Sequence, residues 1–130
     1  MTEIAEHPQG AKAPLAARLL CADVLVSACP SRILLQHVTS RWGILCLFVL
    51  RDGTLRFSEI RDLIGGVSER MLSETLKNLA EDGFVQRISH PVVPPHVDYS
   101  LTEAGQEVAA KLADLITWIE DFQTAKVRAG

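Results

Sequence analysis

Three cysteines, Cys21, Cys29 and Cys46, and four histidines, His7, His37, His90 and His96, are the side chains of this 130-residue chain best suited to nucleophilic or metal-binding chemistry. Their spacing argues against both. No Cys-x-x-Cys and no Cys/His array with zinc spacing occurs. His90 and His96 flank the connection HPVVPPH and could face each other across a hairpin, but no third ligand accompanies them. His37 reads as a hydrogen-bonded core or boundary residue. A glycine-rich phosphate loop, a GxSxG and an HExxH are all missing. The expectation is of no enzyme, no metal and no cofactor.

Cys29 has the setting of a reactive thiol. It stands just before Pro30, at the start of an expected helix and near Arg32, and both a helix N-terminus and a cation favour the thiolate. Cys21 on the preceding segment would serve as its resolving partner. Cys46, inside the apolar run WGILCLFVL, reads as a small buried hydrophobe. A purely structural Cys29 fits the same residues.

The elements that must position these groups follow from periodicity. Residues 1–14 carry prolines and glycine without a period and read as a loose tail. Leu15, Leu19, Leu20, Val24 and Leu25 recur at helical spacing, which predicts a first helix to about Ser27, broken by Cys29-Pro30. Pro30 can open the next helix, with Ile33, Leu34, His37 and Val38. The run from Trp42 follows, a continuous apolar core helix ended by Asp52-Gly53. Arg56 to Ile64 forms a short helix with Phe57, Ile60, Leu63 and Ile64 on its inner face.

Ser68 is a good N-cap for the helix SERMLSETLKNLAEDG, whose inward stripe is Leu72, Thr75, Leu76 and Leu79 and whose stop is Gly83. Phe84–Ser89 and Val97–Leu101 alternate with period two and make a hairpin. Thr102 caps a last helix in which Val108, Leu112, Leu115, Ile119 and Phe122 form a heptad-like seam. The fold class is mainly α with a small β-hairpin: a winged helix-turn-helix with N- and C-terminal dimerisation helices. Its parts are a flexible tail (1–14), an N-terminal dimerisation helix (15–28), a winged helix-turn-helix DNA-binding domain (29–101), and a C-terminal dimerisation helix and tail (102–130).

Bulk charge gives no support to a nucleic-acid partner, since 13 Lys and Arg stand against 16 Asp and Glu. DNA binding has to rest on local geometry. A helix N-terminus offers free N–H groups and a partial positive dipole to phosphate, and its first exposed side chains can reach base edges in the major groove. Ser68, Arg70, Ser73, Glu74 and Lys77 are the groove candidates, with Arg87 and His96 on the wing. Glu69 and Glu74 are awkward beside phosphate unless they pair with Arg70 or Lys77 or accept from a cytosine amino group. The competing reading is a winged-helix module that docks protein and binds no DNA.

The Cys29-Pro30 step, Trp42 in SRWG, RFSEIR, the Val67-Ser68-x-x-Met71-Leu72 helix start, DGFVQR and VPPHVDYSLTEAG occur in this order. Together they resemble the HxlR-type winged helix-turn-helix transcription regulators, over roughly Cys29 to the last helix. The long N-terminal segment departs from the pattern. The resemblance implies a homodimer binding an inverted-repeat operator in double-stranded DNA; a repressor is expected because operator occupancy commonly blocks polymerase. It also implies possible sensing of electrophiles or oxidants by a cysteine at the Cys29 position. The acidic N-terminus and apolar runs well short of the ~20 residues that span a bilayer point to a cytoplasmic protein without membrane contact.

Overall fold

The computed structural model describes residues 22–130, and the chain divides into two compact units, Met1–Ser40 and Arg41–Gly130. In the first unit, residues 24–29 form consecutive turns and bends instead of the end of a helix. Asp23 is the physical reason: its carboxylate accepts from the Leu25 N–H at 2.9 Å and its carbonyl from the Val26 N–H at 3.1 Å. A side chain that satisfies the backbone two residues on competes with helix formation. The expected tail and the remainder of the expected first helix, residues 15–21, lie outside the described residues. Helix α1, Pro30–Thr39, starts as foreseen, with extended Cys29 as N-cap and Pro30 in the first turn.

The second unit opens with α2, Arg41–Val49, which runs into a 3-10 turn, Leu50–Asp52, before reaching Gly53. Strand β1, Leu55–Arg56, leads directly into α3, Phe57–Leu63. Then come α4, Glu69–Glu81, strands β2, Val85–His90, and β3, His96–Leu101, and the long α5, Glu103–Ala129. Helix α2 packs against both α4 and α5, which explains why its sequence is apolar all round. Cys46, Leu47, Leu50, Ile60, Leu72 and Leu79 are wholly buried and make the centre of the core. Leu63 was expected on the inner face of α3 and is 62% exposed. The helix stops there and Ile64 turns extended (φ −97°, ψ 103°); Ile64 is buried as expected, and Val67 takes the further inward position.

The sheet has three antiparallel strands in the order β1-β3-β2, one more than the expected hairpin. β1 is too short to show an alternating pattern, and pairing with β3 alone defines it, through Leu55↔Tyr99 and Arg56↔Asp98. β2 and β3 pair from Val85↔Leu101 to His90↔His96, so both histidines belong to the ladder. The loop between them contains a cis Val93–Pro94 bond.

The junction from α4 through the sheet to α5 is tightly specified. Gly83 sits at φ 93°, a left-handed conformation that suits glycine and ends α4. The Thr102 hydroxyl donates to the Gly83 carbonyl at 2.6 Å and accepts from the Gly105 N–H at 3.0 Å, while the Thr102 N–H donates to the Phe84 carbonyl at 3.1 Å. A Cβ on Gly105 would collide with that same Phe84 carbonyl oxygen. The proximal half of α5 then buries Ala109, Leu112 and Ala113, and its distal half leaves Leu115, Trp118, Ile119 and Phe122 exposed. No single helix among the described residues is long and apolar enough to cross a membrane.

Candidate nucleic-acid interface

Helix α4 presents its inner stripe, Leu72, Leu76 and Leu79, to the core and so fixes what its other side offers to solvent. Arg70, Ser73, Glu74 and Lys77 all lie on that exposed side. Their spacing of three, four and seven residues keeps them on one strip. Ser68 caps the helix: its hydroxyl oxygen accepts from the Met71 N–H at 3.1 Å, and its own position is exposed. The hydroxyl proton remains available to an outside acceptor such as phosphate oxygen.

The acids on this helix have different surroundings. Arg61 Nη1, at the end of α3, donates to Glu69 Oε2 at 2.7 Å. Glu69 is thus held by Arg61, and neither Arg70 nor Lys77 is needed to neutralise it. The pair spans two helices across eight residues, a contact that helix periodicity could not have suggested. Glu74 stays on the exposed strip with the basic groups. Glu81 stands at the far end of the helix from the Ser68 cap.

The register decides the wing. Arg87 stands opposite Tyr99 and shares a sheet face with it. That face closes on α4, and a cleft of about 330 Å³ is lined by Ser73, Lys77, Glu81 and Arg87 among others. Two of the helix candidates and one wing candidate therefore meet on one concave surface, with two cations on it. His96 pairs with His90 on the opposite face, half-buried and engaged with neighbours of its own. The structure does not bring His96 to the cleft with Arg87.

The cysteines separate by environment. Cys46 is wholly buried, and burial pushes its thiol up to about 12, so it is inert at neutral pH. Cys29 is disulfide-bonded and buried; the Asp23 N–H donates to its sulfur at 3.3 Å, and the Ser31 hydroxyl lies 3.2 Å from it. Arg32, expected beside the sulfur, has Nη1 directed at the Val24 and Leu25 carbonyls, 3.4 Å from each. Cys21 lies outside the described residues.

A short helix, a second helix with a capped and exposed start, and a strand pair closing on that helix define a winged helix-turn-helix. The HxlR-like helix-turn-helix family model matches residues 37–127, and the chain belongs to that family. It is 55% identical over 106 residues to the HTH-type transcriptional regulator YtfH of Escherichia coli strain K12, covering 82% of this chain and 84% of that one. Among solved structures, the transcriptional regulator ytfH from Salmonella typhimurium superposes with a TM-score of 0.75 at 54% identity, covering 82% of this chain and 95% of that one. The redox regulator HypR in its oxidized form superposes with a TM-score of 0.66 at 33% identity, over 72% of this chain and 96% of that one.

Proposed function

We propose that the chain is a transcription regulator that binds an inverted-repeat operator in double-stranded DNA as a homodimer and acts as a repressor. The observation that carries this reading is the single surface formed by the exposed strip of α4 and the Arg87 side of the wing. In it the capped start of α4 enters the major groove, where Arg70 and Ser73 reach base edges, Glu74 accepts from a cytosine amino group, and Lys77 and Arg87 meet phosphate. The homodimer is supported by the uncovered apolar strip from Leu115 to Phe122, and the net charge of −3 predicts weak sequence-independent affinity. A gel shift with fragments upstream of its own and neighbouring genes, at about 0.15 M salt, tests the reading. No retarded fragment in either thiol state would favour a protein-docking module. Arg70→Ala should cost ~1–3 kcal/mol on the operator and relax discrimination at one base pair. A uniform small loss on all sequences makes Arg70 a phosphate contact instead.

The same protein responds to thiol oxidation through Cys29, with Cys21 as partner. What supports this is that Cys29 is disulfide-bonded and that one structural relative is a redox regulator. A switch between thiol and disulfide just ahead of α1 alters how that helix starts, and so the spacing of two recognition helices in a dimer. Cys29→Ser should abolish the effect of diamide on operator release; an unchanged response refutes the switch.

A further inference from the structure

The face of the hairpin turned away from the DNA cleft carries a second constellation. His90 and His96 are the last pair of the ladder, and Asp98, two residues further along β3, returns to the same face by the period of the strand. His90 Nε2 lies 2.8 Å from Asp98 Oδ2, and His96 Nε2 lies 3.9 Å from Asp98 Oδ1. The two imidazole rings stack with centroids 4.5 Å apart. One ligand atom from each of the three residues falls within 4.8 Å of the other two. Tetrahedral zinc bonds of ~2.0–2.1 Å place ligand atoms ~3.3 Å apart, so small side-chain rotations would bring all three onto one ion.

We propose that His90, His96 and Asp98 form a binding site for a divalent transition-metal ion of the zinc class. The donor set of two imidazoles and one carboxylate suits such an ion, and leaves a fourth position for water. All three residues are half-buried, held by paired strands yet open to solvent, and a concavity of about 550 Å³ bordered by His90, Pro91, Pro95 and His96 gives access. A bound ion would join β2 to β3 at the mouth of the wing loop.

The site is independent of the operator reading, and its test uses no DNA. Full-length protein stripped with a chelator is titrated with Zn²⁺ by calorimetry. One ion per protomer is expected, with affinity falling at least ~10–100-fold in His96→Ala and Asp98→Asn, the range for loss of even an outer partner of a metal ligand. Asp98→Asn keeps the side-chain volume, so it stays informative if His96→Ala disturbs the hairpin; circular dichroism checks both. Co²⁺ in the wild-type protein should give visible d–d bands without a thiolate charge-transfer band. Absence of stoichiometric binding, wild-type affinity in both variants, or a thiolate band overturns the proposal.

Discussion

Helices α4 and α5 each leave a long face uncovered, and the two faces differ in kind. The strip on α4 carries Arg70, Ser73, Glu74 and Lys77, groups that water solvates well. The distal half of α5 shows Leu115, Trp118, Ile119 and Phe122, with the Trp118 and Phe122 rings stacked at 5.1 Å. A polar strip is stable as it stands and offers hydrogen bonds and charge to a polar partner. An apolar strip gains free energy only when another apolar surface covers it, at roughly 25 cal/mol per Å² removed from water. One molecule thus presents a surface for recognising something unlike itself and a surface suited to a second copy, since identical strips complement each other about a twofold axis.

The sharpest way to break this contrast is to make the second face resemble the first. Ile119→Glu combined with Phe122→Glu removes two large side chains from each protomer, four in a twofold dimer; each is about half exposed and has roughly half of the ~1.5–3 kcal/mol of full burial to lose, which should weaken the proposed dimer by ~10²–10⁴-fold. Sedimentation should show monomers, while circular dichroism stays unchanged because both side chains are exposed within the protomer. Operator affinity should fall with the dimer. A variant that remains dimeric would move the interface elsewhere, with the exposed Ile33, Leu34 and Leu35 of α1 next in line.

A second change acts where the two faces are tied together. Gly105 sits against the Phe84 carbonyl, which already accepts from the Thr102 N–H and cannot retreat without breaking that bond. Gly105→Ala should destabilise the protein by ~1–3 kcal/mol, read as a lower urea midpoint, or by more if α5 lifts from the sheet. An unchanged midpoint would mean that the start of α5 is not seated as described.

What the sequence disclosed and what it hid follow one physical division. The α4 helix, its Ser68 cap, its Gly83 stop and the Thr102 cap of α5 are local signals, each contained within a few residues. The exposure of Arg70, Ser73, Glu74 and Lys77 was legible for the same reason, because the apolar stripe of one helix fixes its other side. Features made by pairing distant residues stayed hidden. β1 exists only through Tyr99 and Asp98, the Arg61–Glu69 bridge spans two helices, and Asp98 becomes a partner of His90 only once the hairpin register is known. Arg87 and His96 look equivalent along the chain, yet the register sets them on opposite faces. The turn at Asp23 was local but masked by apolar residues whose helical spacing suggested a longer helix.

The smallest expected effect concerns Ser68, where capping and the proposed DNA contact share one side chain. Ser68→Ala loses the acceptor for the Met71 N–H and should cost about 1 kcal/mol of stability. It leaves the charge of the surface unchanged, so operator affinity should fall modestly. Ser68→Asp keeps a capping oxygen, and its carboxylate interacts favourably with the positive end of the α4 dipole, so stability should hold or rise. The same carboxylate would confront phosphate at the helix start, and operator affinity should drop below that of Ser68→Ala, with the gap widest at low salt where charge is least screened. If both variants bind the operator alike, the start of α4 does not approach the DNA backbone, and the contacts must come from Arg70 onward and from Arg87.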